Sequence, residues 1–323
     1  MKRIFFLMFV FCFSCESETK QIRLTGAIFG TTYSIIYQGN ESYNENFLKI
    51  FKSINNSLST YIPSSIISNI NKNKSDSINE HIKIVFDEAK LVYEKTNGSF
   101  DPTIGSVVNA WDFGPRGAIK NLDSIKISEL MKSVGFDKIN INGYKIKKPI
   151  NTFLDFNAIA KGYAVDVISE FLISEGVNDF LVEIGGEIRC SGLNKKREFP
   201  WVVGIQNPDL SNDKVYFKKV NLNNESMATS GTYRKYKIDE NGKRYTHIID
   251  TKNGYPSRTN ILSVSVITKN CMTADAYATA LQTMPLNRLE IYLNNNPKLK
   301  VFVIYQGDNE DLEFKTFNGF SFY

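Results

Sequence analysis

The tightest constraint on the fold lies between residues 150 and 206, where the apolar pattern switches from strand to helix and back. Residues 152–156 form a short apolar run, 158–174 follows with helical character, and 180–184 is a second short run that stops at Gly185-Gly186. Residues 201–206 give a third strand. Outside this block, 29–37 alternates like a strand and 261–268 reads as another. Helical faces come from Phe47, Ile50, Phe51, Ile54 and Leu58 within 44–58, and from Ile82, Val85, Phe86, Ala89, Val92 and Tyr93 in a helix ending near Asn97-Gly98. Further helices are expected at 124–134, 273–283 and 288–294, with a strand at 299–305. Residues 64–79 read as irregular surface, and 233–250 as a hairpin about Asn241-Gly242, a favoured type I′ pair. The sum is a mixed β-sheet core with packed helices, α/β or α+β.

The N-terminus carries an address. Lys2 and Arg3 precede an uncharged apolar run, 4–13, which is too short to span a bilayer but suits a signal-peptide core. The run ends at Ser14-Cys15, after which the chain turns polar at once. A small residue before a cysteine at that place resembles a bacterial lipobox, although Cys12 stands where leucine is common. An ordinary cleaved signal with an incidental cysteine reads the same core. The abrupt polarity change favours lipidation of Cys15, with 1–14 removed and 15–323 left as one domain. The expected product is an exported lipoprotein, anchored to a membrane by its lipid and facing the periplasm.

Bulk properties exclude two classes of function. The formal net charge is +5, and no arginine-rich stripe accompanies it, so nucleic acid is not an expected partner. His81 and His247 are the only histidines and no Cys/His cluster exists, which argues against zinc. Cys190 and Cys271 could pair in an oxidising compartment, but both flank apolar runs and read as buried free thiols.

Several short segments could carry chemistry. Asp275 and Thr279 are four apart among alanines, so on a helix their oxygens share one face and could hold a hard cation such as magnesium. The same residues could equally be a helix start with a buried threonine. Asp155 ends an apolar run and feeds a helix rich in small residues, through Ala158, Lys161 and Gly162. That arrangement suits a phosphate, or merely an acidic cap. Gly98-Ser99-Phe100-Asp101 is a turn or a ligand loop. Ser230-Gly231-Thr232 suits backbone approach to phosphate, and His247 stands in His-Ile-Ile-Asp as a candidate base or a structural histidine.

The order of these blocks is more specific than any one of them. Gly30-Thr31-Thr32-Tyr33, Ser59-Thr60-Tyr61, Gly98 to Asp101, Leu154-Asp155 through Tyr163, Gly185-Gly186, Ser230-Gly231-Thr232-Tyr233-Arg234, His247-Ile248-Ile249-Asp250 and Thr273-Ala274-Asp275-Ala276 follow one another along the chain. This series resembles the ApbE family of FAD:protein FMN transferases over essentially the whole chain after the leader. The resemblance implies a T-fold-like architecture, FAD as substrate and Mg2+ as cofactor. It implies that Asp275, Thr279 and the backbone carbonyl of Ala158 hold the metal. Tyr61 would lie against the isoalloxazine, and Ser99, Phe100, Asp101, Asp155, Lys161 and Ile249 would contact FAD. Phe29 would line the site where relatives often carry methionine. The implied reaction attaches FMN by a phosphoester bond to a Thr or Ser of an acceptor protein and releases AMP; of the catalytic candidates, His247 is the base for the hydroxyl proton and Asp275 acts mainly as a metal ligand. The implied acceptor is a membrane electron-transfer subunit carrying an Asp-Gly-x-Thr/Ser-Gly-Ala-Thr-like motif. Two alternatives share these residues: an FAD pyrophosphatase giving FMN and AMP, and a non-catalytic flavin-binding lipoprotein.

Overall fold

A computed structural model describes residues 20–209, 215–233, 236–238, 244–309 and 311–323. The expected leader, Cys15, Arg234 and the Asn241-Gly242 turn lie outside the described residues. The core is an eight-stranded sheet: β1 (Lys20–Ile28), β2 (Thr31–Gly39), β3 (Phe180–Ile184), β4 (Glu187–Ser191), β5 (Ser226–Gly231), β6 (Ile261–Thr268), β7 (Lys300–Gln306) and β8 (Leu312–Phe317). Spatial order follows chain order, and every ladder joining these strands is antiparallel. The expected combination of sheet and packed helices is what the chain adopts, with one strand direction alternating throughout. The plan occurs twice: two strands, a helical insertion, then two strands.

Side-chain alternation divides the core between the two faces of the sheet. On β7, Val301, Val303 and Tyr305 join the helix-covered core, while Phe302 and Ile304 point to the other side. The first face is covered by α1 (Asn44–Leu58), α2 (Glu80–Lys95), α3 (Asn157–Ser174) and α4 (Cys271–Gln282). α1 buries Phe47, Phe51, Ile54 and Leu58, and α2 buries Ile82, Val85, Phe86, Ala89 and Val92, matching the helical spacing of these residues. The second face is covered by a separate hairpin, Trp201–Gln206 with Tyr216–Leu222, which buries Trp201, Val203 and Ile205. Among the described residues no helix is long and apolar enough to cross a membrane.

Three expectations are corrected. Residues 152–156 are no ladder strand and make only an isolated bridge at Phe153. Their backbone is satisfied elsewhere: the Asn71 amide brackets Leu154, donating to its carbonyl and accepting from its N–H, both at 2.8 Å, and Asp155 N–H donates to the Pro102 carbonyl. The strand expected at 29–37 begins at Thr31, because Phe29 and Gly30 form the turn before it. The irregular segment 64–79 contains a helix, Ile66–Asn71, capped by Ser65, whose side chain accepts from Ser68 N–H.

Candidate active site

A cavity of about 910 Å³ opens where the β1–β2 and β3–β4 turns, the end of β5, the first turns of α3 and one face of α4 converge. That volume is at the upper end of small-molecule and cofactor sites, about 300–1,000 Å³. All twelve residues expected to hold substrate, metal or proton line this cavity: Phe29 and Tyr61; Ser99, Phe100 and Asp101; Asp155, Ala158 and Lys161; His247 and Ile249; Asp275 and Thr279.

The floor is built by α3 and α4, which meet in close contact. Gly162 makes that contact, since a Cβ there would lie 2.5 Å from the Cys271 carbonyl oxygen and 2.8 Å from Asp275 Cβ. Its N–H donates to Asp275 Oδ2 at 3.0 Å, which fixes a carboxylate that is 4 % exposed. One turn further along α4, the Thr279 hydroxyl lies 3.1 Å from Ser230 Oγ on β5. The α4 N-terminus lacks a side-chain cap of its own. Asp166 of α3 supplies one, accepting from Cys271 N–H at 2.9 Å and Met272 N–H at 2.8 Å while pairing with Arg189 at 3.0 Å. Asp275 and Thr279 are therefore held by a doubly anchored helix. Cys190 and Cys271 are both buried free thiols.

Beside Asp275 stands a residue that sequence reasoning missed. Glu187, the first residue of β4, is buried and forms an ion pair with Lys161 at 2.7 Å. Burial pushes the Glu187 carboxyl up to about 7, with Lys161 pulling it down and Asp275 adding to the rise. For Lys161, burial works against the charge, but Asp275 and Glu187 outweigh it and hold the ammonium above its ordinary range. The available signal is an acid placed directly after the Gly185-Gly186 turn, a pair that in sequence alone marks the end of a strand.

The walls are more varied. Phe29 sits at φ 53° and Gly30 at φ 74°, joining the paired residues Ile28 and Thr31 by a two-residue turn in which both backbones are left-handed. Phenylalanine there carries strain of about 1–2 kcal/mol, and its ring meets Phe51 edge-on at 5.7 Å. Asp155 Oδ1 accepts from Asn157 N–H at 2.8 Å, a turn that leads into α3, while the residue lines the cavity. Asp101 is buried, and its Oδ1 accepts from Thr103 N–H at 2.8 Å and from the Thr103 hydroxyl at 2.6 Å. Burial still raises its carboxyl, against the pull of these bonds. At the mouth, Tyr61 is 56 % exposed and donates to the Phe113 carbonyl at 3.4 Å. The Phe113 ring in turn lies 6.2 Å from that of His247.

Among the described residues no group of three or more His, Cys, Asp or Glu could hold a metal ion. The donor set expected from the sequence needs only one carboxylate, a hydroxyl and a carbonyl. Asp275 and Thr279 supply hard oxygen donors, and the buried Oε2 of Glu187 beside them has no hydrogen-bond partner. The residues present fit magnesium, which takes few protein ligands and leaves the rest to phosphate and water.

These features define a class first: an α/β protein with a nucleotide-sized cleft, floored by buried carboxylates and a lysine. The chain belongs to the ApbE family, whose family model matches residues 29–303. It is 36% identical to the FAD:protein FMN transferase of Haemophilus influenzae over 92% of this chain and 90% of that protein, and 34% identical to that of Vibrio cholerae over 84% and 83%. The solved flavin transferase ApbE from Vibrio cholerae superposes with a TM-score of 0.84 at 30% identity, covering 94% of this chain and 98% of that one. The apo Pseudomonas stutzeri flavinyl transferase ApbE gives 0.84 at 27% identity, covering 93% and 96%.

Proposed function

We propose that this chain is a magnesium-dependent FAD:protein FMN transferase that attaches FMN through a phosphoester bond to a Thr or Ser of an acceptor protein. The observation that carries this reading is the convergence of all twelve expected residues on one cofactor-sized cavity. The relatives named FAD:protein FMN transferase support the transfer of FMN to a protein.

In the reaction, the acceptor hydroxyl attacks the FMN-side phosphorus of FAD. The new P–O bond joins FMN to the protein, the pyrophosphate P–O bond breaks, and AMP leaves. Asp275, Thr279 and the Ala158 carbonyl would hold Mg2+, which when bound neutralises charge on the pyrophosphate. Lys161 presents an ammonium to the phosphates. Tyr61 is placed to lie against the isoalloxazine, with Phe29, Ser99, Phe100, Asp101, Asp155 and Ile249 forming the remaining FAD contacts. His247 takes the hydroxyl proton. The protein works as an exported lipoprotein anchored through Cys15 and facing the periplasm, and its acceptor is a membrane electron-transfer subunit.

The test is co-expression with a candidate acceptor, read by in-gel flavin fluorescence and AMP release, beside Asp275→Ala. Covalent fluorescence that disappears in Asp275→Ala is expected. AMP and free FMN without a labelled acceptor would instead identify a pyrophosphatase, and tight FAD binding with no turnover a flavin binder. Near-native transfer by His247→Ala with unaltered FAD affinity would remove the base role from that residue.

A further inference from the structure

We infer that Glu187 is a positioning residue that anchors the Lys161 ammonium and so keeps the Asp275 carboxylate open to the cation. The inference rests on the proposed reading of Asp275 and Thr279 as metal ligands.

The geometry begins with the β3–β4 turn. Gly185 has φ +63°, and a Cβ on it would lie 2.8 Å from Thr31 Cγ2 and 3.4 Å from Lys161 Cδ. Its bareness lets Thr31 pack against the turn, and the lysine stem runs past at ordinary contact distance. Lys161 is on α3, three residues after Ala158 and therefore on the same helical face. Its Nζ ends 2.7 Å from Glu187 Oε1. Asp275 attracts the same ammonium through space, yet Asp275 Oδ2 takes its hydrogen bond from the Gly162 N–H. The lysine thus has two carboxylates within its field and is bonded to Glu187.

A lysine is a flexible point charge that will settle on whichever carboxylate holds it best. Without the Glu187 charge, the carboxylate left attracting the lysine is Asp275, and an ammonium drawn to it would occupy the oxygen donors a divalent cation needs. A purely structural role explains the pair poorly, because a bridge between a buried carboxylate and a half-buried lysine adds little to stability once desolvation is counted. The second Glu187 oxygen, buried and without a hydrogen-bond partner, is also a poor arrangement for stability alone.

The experiment measures Mg2+ and Mn2+ binding by calorimetry, without FAD, on the wild type, Glu187→Gln, Lys161→Met and the double variant, each with its melting temperature. Glu187→Gln should weaken cation binding by about tenfold or more, the scale of one repositioned charge in a partly buried site. Adding Lys161→Met should restore it to within about threefold, since the competing ammonium is gone. Lys161→Met alone should bind at least as well as the wild type, which keeps the inference testable should Glu187→Gln fail to fold. A double variant no better than Glu187→Gln, a Lys161→Met variant that binds more weakly, or unchanged binding in Glu187→Gln each overturns it. So does a wild type that binds neither ion. Absence of FMN transfer with this binding pattern intact would overturn the transferase reading and leave the positioning role standing.

Discussion

Gly162→Ala separates local helix preference from packing, because the two predict opposite signs. On an exposed helix, replacing glycine by alanine stabilises by about 1 kcal/mol. Here the added methyl would lie 2.5 Å from the Cys271 carbonyl oxygen and 2.8 Å from both Cys271 C and Asp275 Cβ. None of these atoms is the end of a flexible side chain, so α3 and α4 must move apart. Overpacking of a well-filled core costs about 1–3 kcal/mol, and contacts this short with backbone belong in the upper part of that range. After the helix gain, a net loss of about 1–2 kcal/mol remains. At roughly 2–4 °C per kcal/mol for a large domain, the melting temperature should fall by about 2–8 °C. With Asp275 as the proposed Mg2+ ligand, the stabilisation by added Mg2+ should shrink as well, because the displaced atoms include Asp275, and ligand stabilisation grows with the logarithm of affinity for the folded state. Thermal melts with and without Mg2+ read both effects. A variant melting above the wild type, with an intact Mg2+ shift, would refute the close-packing argument.

Two further substitutions test other parts of the cavity. Asp101 has a folded-state carboxyl raised by burial, so the native state binds more protons than the unfolded chain between the ordinary carboxylate pKa, roughly 4, and the raised value. Stability from this group should therefore fall as pH rises through that window; Asp101→Asn keeps an oxygen for both Thr103 donors and should flatten the fall in melts taken across it. Phe29→Asn should relieve about 1–2 kcal/mol of left-handed strain and lose about 0.5–1.5 kcal/mol of ring contact with Phe51, leaving the melting temperature nearly unchanged. FAD affinity measured by flavin fluorescence should nevertheless drop, and unaltered affinity would show that the strained phenylalanine does not serve the substrate.

What was legible in the sequence follows from whether a residue's surroundings are local. The faces of α1 and α2 were readable because Phe47, Phe51, Ile54 and Leu58, or Ile82, Val85, Phe86 and Ala89, meet one core along one helix. Asp275 and Thr279 were readable for the same reason, being one turn apart on α4. β1 escaped because, as an edge strand, it keeps Lys20, Gln21, Arg23 and Thr25 exposed and has only a thin apolar face. Residues 152–156 misled because an apolar run does not say who satisfies its backbone, and that task falls to Asn71, far away in sequence. Glu187 is the sharpest case. Its neighbours Lys161 and Asp275 come from two other elements, and the Gly185-Gly186 turn that brings it to them reads in one dimension as a stop signal. Only when α3 and α4 are brought together over the ends of β3, β4 and β5 does the acid after that turn acquire a lysine to hold. The chemistry that depends on a single helix was therefore visible in the residues, while the electrostatic balance of the cavity floor is a property of the topology.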